Sequence, residues 1–404
     1  MGYQGIEFLK TRLARKQGRV NLRYKYYEMK NAVRDFNITI PKEWTWLTAS
    51  LGWCGMAVDS IADRLVFREF GDDAFQLNEI YSMNSRDVLF DSAVRGACIA
   101  SCSFVYISRD ESGYPRLQVI DAYDATGIVD PITMMLTEGY AVLERDAKTQ
   151  TPTIEAYFRK EDTWFFEKGR KPYSIPNPAP YPLLTPVVFK PDARRPFGHS
   201  RITRACMDIM QAALRTMKRS EVAAEFYSFA QKYVTGLSQD SEMMEKWKAT
   251  VSSFLQFTKD EEGEAPKVGQ FSQQSMQPFL EQMKMLAALF SGHTGLTLDD
   301  LGFAGENPSS AEAIKASHEN MRLMARAAQR SFSVGFLNAG YLAACVRDDF
   351  AYQRRQFYKT RARWEPIFEP DVSALAGIGD AINKLQQAFP NYFTEEKIQD
   401  LTGF

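Results

Sequence analysis

Three histidines, His199, His293 and His318, are the only imidazoles in 404 residues, so acid–base or nucleophilic chemistry has few places to sit. Two stand among small residues, Gly198-His199-Ser200 and Gly292-His293-Thr294-Gly295, and invite a hydrolase reading. Each lacks the full frame of a nucleophile elbow, and no strand signal leads directly into it. Asp121, Asp124 and Asp130 lie in a strand-rich stretch without a histidine or second basic partner at a helpful spacing. Solvation of turns and strand ends is their expected role. No Gly-x-x-x-x-Gly-Lys-Ser/Thr run is present, so ATP hydrolysis by this chain alone is not expected. The five cysteines, Cys54, Cys98, Cys102, Cys206 and Cys345, are an odd number in apolar surroundings. They read as buried thiols of a reducing compartment rather than disulfides. Cys98-x-x-x-Cys102 has no second pair and no nearby histidine, which argues against zinc. We expect no catalytic residue, no metal and no cofactor.

The charged residues that remain fall into three groups. Thr297, Asp299, Asp300 and Glu306 sit in a glycine-bearing strip after Gly295 that reads as a mobile, acidic loop. Asp260, Glu261, Glu262 and Glu264 form an acidic turn. Arg215, Lys218 and Arg219 lie off the apolar side of a long helix, with Arg201 and Arg204 expected on the same helix. For these cations, pairing between helices and between subunits is the first reading and proximity to DNA the second.

The elements that must position these groups follow from periodicity. Met276, Phe279, Leu280, Met283, Leu286, Ala287 and Phe290 recur at helical spacing. Pro278 is tolerable only in the first turn of that helix, and Gly292 and Gly295 end it. After the acidic strip, Ser309 and Glu312 form a capping box. Ile314, Met321, Met324, Ala325, Ala328, Phe332 and Phe336 then share one side of a helix of about 30 residues, or about 45 Å. Upstream, Ile202, Ala205, Cys206, Ile209, Met210, Ala213, Leu214 and Met217 mark another long helix, extending to about Ala230. The segment between the two, with its acidic turn, is an insertion that must protrude from the far end of the pair.

The first half is mixed. Residues 1–36 are basic, rich in tyrosine and helical, and read as an amphipathic arm packed on the body or a neighbour in preference to a nucleic-acid or membrane arm. One helix is expected over 44–70 and a second over 77–100, the latter most helix-like over 84–94. Strands follow at 103–107, 116–122, 128–131, 136–145 and 153–159, with 163–167 the last, forming an antiparallel or mixed sheet. The proline cluster over 171–186 runs extended as a connector. Residues 347–363 interleave basic and aromatic side chains, which suits a strand with solvated arginines or stacking on nucleic acid. Two short helices close the chain over 372–404.

Composition sets limits. Apolar residues make up 45% and charged residues 25%, ordinary for a folded soluble protein of two or three domains. A formal net charge of -1 lacks the basic excess of a tight DNA binder. It fits a channel through which DNA slides, and equally a protein that never meets DNA. No apolar run approaches the ~20 residues of a membrane span, and the first residues lack a secretory signal or the Ser/Thr of a myristoylation motif. The expected compartment is the cytosol.

Several stretches together resemble the portal proteins of tailed double-stranded DNA bacteriophages. They are Val268-Gly269-Gln270-Phe271 before a helix, Thr294-Gly295-Leu296, and Asn307-Pro308-Ser309-Ser310-Ala311-Glu312-Ala313-Ile314 opening a long helix. To these are added Pro196-Phe197-Gly198-His199-Ser200-Arg201-Ile202, Trp364-Glu365-Pro366, and Gly379-Asp380-Ala381-Ile382-Asn383-Lys384-Leu385. The order of these motifs spans roughly residues 190–404, while the first half matches in layout only. The resemblance implies an α+β subunit. Residues 1–197 would be a wing with an α/β fold, 198–233 and 273–294 stem helices, and 234–272 a small α/β clip insertion. Residues 295–308 would be a tunnel loop, 309–346 a long transverse wing helix, 347–371 an extended wing segment and 372–404 a helical crown. It implies a cyclic homo-oligomer, a dodecamer, at a capsid vertex of the virion, assembled in the host cytoplasm without membrane. Double-stranded DNA would pass through during packaging and ejection, with no sequence read. Terminase, major capsid protein, scaffold and head-completion or tail proteins would be its partners. Thr297, Asp299, Asp300 and Glu306 would face DNA, and Asp260, Glu261, Glu262 and Glu264 would dock partners. The rivals are an oligomeric structural or adaptor protein without a channel and, third, a hydrolase using His199 or His293.

Overall fold

The computed structural model describes residues 2–35, 46–228, 232–235, 267–270, 275–303, 318–368, 372–389 and 398. The chain forms two units. One comprises Met1–Asn31, Gly52–Arg204 and Thr294–Phe404, the other Ala32–Leu51 and Ala205–His293. In chain order the elements are α1 (Ile6–Tyr27), α2 (Trp53–Ala62), β1 (Phe67–Gly71), α3 (Leu77–Ser82) and α4 (Arg86–Ala100). Then come β2 (Cys102–Arg109), β3 (Pro115–Asp121), β4 (Ala125–Val129), β5 (Leu136–Arg145), β6 (Pro152–Phe158), β7 (Asp162–Glu167), β8 (Tyr173–Pro176) and β9 (Leu184–Val188). They are followed by α5 (Arg204–Ser228), β10 (Lys232–Thr235), β11 (Lys267–Gln270), α6 (Gln277–Thr294), α7 (Glu319–Asp348), β12 (Arg361–Trp364) and α8 (Val372–Ala388).

In the first unit every strand pairing is antiparallel. A five-stranded sheet runs β4-β5-β6-β7-β8, a three-stranded one β3-β2-β9, and β1 pairs with β12. Helix α1 lays Leu9 and Leu13 on Tyr140, Val142 and Tyr157 of the larger sheet. Its start is held by the buried carboxylate of Glu138, which accepts from the N–H groups of Gln4 at 2.9 Å and Gly5 at 3.2 Å. A negative group there answers the helix dipole.

Helix α7 runs through the core of this unit. Phe332 and Phe336 are fully buried, and from Asn338 to Val346 every side chain is buried. A helix apolar all round is one enclosed on all sides. Small residues let it close on its neighbours. A Cβ at Gly335 would stand 2.9 Å from the Pro186 carbonyl oxygen and 3.0 Å from the Val187 Cα. Around it Phe67 stacks on Phe90 at 3.9 Å between ring centres, Phe90 meets Phe336 at 4.0 Å, and the Trp364 indole donates to Ser333 at 2.9 Å.

Several expectations need correction. A single helix over 44–70 does not form. Only Trp53–Ala62 is helical, Trp46 is 75% exposed, and Phe67–Gly71 is a strand whose partner lies nearly 300 residues downstream. The 77–100 helix is split, because Ser85 takes a left-handed backbone (φ 52°) and Asn84 bonds across the break. The Asn84 amide donates to the carbonyls of Ile80 and Pro115 and accepts from Leu117 N–H. Side-chain bonds of this kind compete with helix. Two more strands follow Thr163–Glu167, both in the proline-rich stretch. Of these, β9 is wholly buried, and its Pro186 is tolerated because β9 lies at a sheet edge. Residues 347–363 hold a short 3-10 turn, Arg354–Phe357, before β12.

In the second unit α5 and α6 are the long helices, and β10 pairs antiparallel with β11. Most of the expected insertion, including Asp260, Glu261, Glu262 and Glu264, lies outside the described residues, as do Glu306, Ser309, Glu312 and most of 390–404.

Candidate functional site at the root of two long helices

The turn before α5 is built by its motif. Gly198 sits at φ 70°, and a Cβ there would stand 2.0 Å from the Phe189 carbonyl oxygen, so glycine is required. His199 N–H donates to that same carbonyl at 2.9 Å. Ser200 is buried, and its hydroxyl donates to the Ile99 carbonyl at 2.5 Å while accepting from Ile202 N–H at 2.9 Å. Arg201, expected on the polar faces of α5, is instead 5% exposed and precedes the helix. Its Nε donates to the Ala57 carbonyl of α2 at 2.8 Å, its Nη2 to the Thr294 carbonyl, and its Nη1 approaches the Met324 sulfur of α7 at 3.3 Å. Thr294 is the last residue of α6, whose final carbonyls have no partner within the helix. A buried guanidinium three residues before α5 therefore caps the last carbonyl of α6. The chain leaves and rejoins the first unit at one arginine.

After Thr294 the chain turns at Gly295 (φ 72°), where a Cβ would meet the Met324 methyl at 2.7 Å. The described part of the acidic strip is ordered. Leu296 and Leu301 are buried, and Asp299–Leu301 is a 3-10 turn. Thr297 N–H donates to the Asp300 carboxylate at 2.7 Å, and Asp300 N–H donates to the Thr297 hydroxyl at 3.1 Å, a reciprocal pair of the capping-box kind. The expectation of a mobile loop thus fails over 295–303. Asp300 is engaged in its own turn, while Asp299 is exposed.

The polar face expected on α5 is also altered. Lys218 is buried, and its ammonium is ion-paired with Asp35 at 2.5 Å. Gln211 accepts from Arg34 N–H and donates to the Ala32 carbonyl, both at 2.9 Å, and Arg215 donates to the Arg34 carbonyl at 3.3 Å. A strap of residues 32–35 thus lies along α5. The sequence carries no local signal for it, since the partners are about 180 residues apart. Lys218 and Arg215 hold this non-helical strap, a partner that neither reading given to them named.

The hydrolase geometry is absent at His199. Its Nε2 meets the Asp192 carboxylate at 2.6 Å and its Nδ1 lies 3.3 Å from Arg195, while the Ser200 hydroxyl is committed to backbone. All five cysteines are buried with free thiols, and burial pushes the Cys98 thiol up to about 12, too high for a thiolate at neutral pH. Among the described residues no group of three or more metal-binding side chains is gathered, and no helix is long and apolar enough to cross a membrane.

The model of one protein family, Phage portal protein, SPP1 Gp6-like, matches residues 6–366. The chain belongs to this portal family. Among its relatives are the portal protein of Mycobacterium phage L5, 25% identical over 321 residues, and that of Mycobacterium phage D29, 26% identical over 326. Each alignment covers 73% of this chain and 65% of the relative, so the chain matches less than two thirds of their length. A chain of a solved neck of a native GTA particle, computed with C12 symmetry, is 13% identical over 95% of this chain and 99% of that one. Its TM-score of 0.45 is too low to carry an argument about assembly. Within the portal-family chain, the Gly198-to-Ile202 motif now has a physical content: a turn, a backbone latch and a buried guanidinium that donates to the Ala57 and Thr294 carbonyls.

Proposed function

We propose that this chain is the subunit of a portal ring at one capsid vertex, through which double-stranded DNA is packaged and later ejected. The observation that carries the reading is the portal-family match over residues 6–366, nearly the whole described fold. The topology fits it. An α+β body serves as wing, α5 and α6 serve as stem and return to one anchor at Arg201, and the insertion between them serves as the clip. Helix α7 is the long wing helix, residues 347–371 the extended wing segment and α8 the described part of the crown.

Exposed apolar surface supports a cyclic assembly, in keeping with a dodecamer. Met285 and Leu289, one turn apart on α6, are each 54% exposed. Such a face is buried when neighbouring subunits repeat around an axis. In this reading Thr297, Asp299, Asp300 and Glu306 line the narrow part of the channel and keep phosphates from binding tightly. Asp260, Glu261, Glu262 and Glu264 belong to the docking surface for terminase and head-completion proteins. Capsid protein and scaffold meet the outer parts during assembly in the host cytoplasm.

Heads assembled with the chain fill with DNA, and heads assembled without it stay empty; filled heads lacking the chain would contradict the function. The channel role is tested by Asp299→Asn with Asp300→Asn, which keeps an acceptor for Thr297 N–H. Packaging should slow or stall, and an unchanged packaging rate would remove the acidic loop from the mechanism.

A further inference from the structure

A cleft of about 590 Å³ opens between α1 and the 194–198 loop, lined by Arg12, Arg15, Lys16, Arg19, Arg23 and Arg194. The five on α1, with Arg15 and Lys16 adjacent and the others three or four residues apart, lie along one side of the helix over about 16 Å at 1.5 Å per residue. The apolar contacts of α1 to the sheets, through Leu9, Leu13 and Val20, lie on the adjoining face, with Lys16 at the seam and Arg15 and Arg19 turned to solvent. Arg12 lies 5.4 Å over the Phe197 ring and Lys16 5.3 Å over the Phe104 ring. Their hydrogen bonds run to backbone: Lys16 donates to the Ala125 carbonyl at 2.6 Å and Arg23 to the Ala100 carbonyl at 2.9 Å.

Among the described residues none of the six is ion-paired with a carboxylate, and no acidic side chain lines the cleft. The carboxylate that bears on Lys16, Asp121, is buried and already accepts from the Tyr24 hydroxyl at 2.5 Å and Tyr123 N–H at 2.6 Å. Burial holds Arg12, Lys16 and Arg23 below their usual range, and neighbouring cations press Lys16 and Arg23 the same way. Half-buried cations gathered without an anion cost free energy that a bound anion would offset.

We propose that this cleft binds the phosphates of a nucleic-acid backbone without reading bases. Guanidinium forks match phosphate oxygens, and cations spaced along one side of a helix suit a repeating anion. Duplex DNA presents one charge per ~1.7 Å of axis, so several phosphates lie within reach of them. The preference for a phosphodiester over an acidic protein segment rests on the portal reading, in which DNA is the cargo.

The test uses the full chain, a labelled random-sequence duplex, and the double variant Arg15→Glu/Arg19→Glu, both positions exposed. Wild-type binding should weaken with salt. The variant should bind about tenfold or more weakly whatever the sequence, with a salt slope shallower by about 0.9 for each phosphate that is no longer neutralised. Arg194→Glu on the facing wall should act in the same direction and guards against a local folding defect in α1. Unchanged duplex binding in both variants overturns the proposal. So does polyglutamate bound more tightly than duplex, which would assign the cleft to an acidic protein. Native mass is read in parallel. A variant that loses the ring yet keeps DNA binding makes the cleft a subunit contact and overturns the proposal. A wild type that forms no ring but binds DNA through these residues upholds it and overturns the ring reading alone.

Discussion

Replacing Arg201 with alanine removes the guanidinium that donates to the carbonyls of Ala57 and Thr294. Hydrogen bonds to a charged group contribute about 1.5–3 kcal/mol each, so Arg201→Ala should lose on the order of 3 kcal/mol, read as a lower urea midpoint. Arg201→Lys should recover only part, because one ammonium cannot reproduce a planar fork aimed at separate elements. Wild-type stability in Arg201→Ala would show that the guanidinium does not fasten the helices. The sequence showed that the Gly198-to-Ile202 stretch was unusual, since glycine, serine and arginine stand together at a helix start. It could not show that Arg201 points inward, because its acceptors come from residues 57 and 294. Lys218 was misplaced for the same reason: its partner, Asp35, is far away in sequence.

Helix α7 was the most legible element. Its apolar spacing and the lack of proline predicted a helix over 309–346; Glu319–Asp348 is helical, and the expected start at Ser309 lies outside the described residues. The glycines at 335 and 340 each mark a close approach. Gly335→Val should therefore cost about 1–3 kcal/mol through overpacking against Pro186 and Val187, measured as a fall in thermal midpoint. A neutral result would mean that β9 yields at no cost. Strands β1 and β9 were hard to read. The first is five residues long with a partner found only near the far end of the chain, and the second is interrupted by proline. The helix expected over 77–100 failed at Asn84 and Ser85, where side-chain hydrogen bonds outweighed apolar periodicity. Local patterns specify long helices well, whereas short strands depend on pairing that periodicity does not contain.

At the scale of the whole molecule, the portal-family match joins two units whose meaning differs. The first carries a dense core built on α7 and antiparallel sheets, and can be understood as a single folded body. The second carries exposed apolar side chains on α6 that a lone subunit leaves in water. In the proposed ring, repetition around an axis would bury such a face in every copy and leave a central passage. Net charge of -1 was uninformative in the sequence because it sums 49 cations and 50 anions over the whole chain and hides a local gathering such as the cationic cleft at α1. Substituting Met285 and Leu289 with charged residues should therefore disrupt assembly while leaving the first unit folded. The measurement that tests the account most directly is electron-microscopic imaging of the purified chain, with its native mass taken alongside. The account predicts rings of many identical subunits around a hole wide enough for duplex DNA. A closed two-fold dimer, or a ring with no passage, would contradict it.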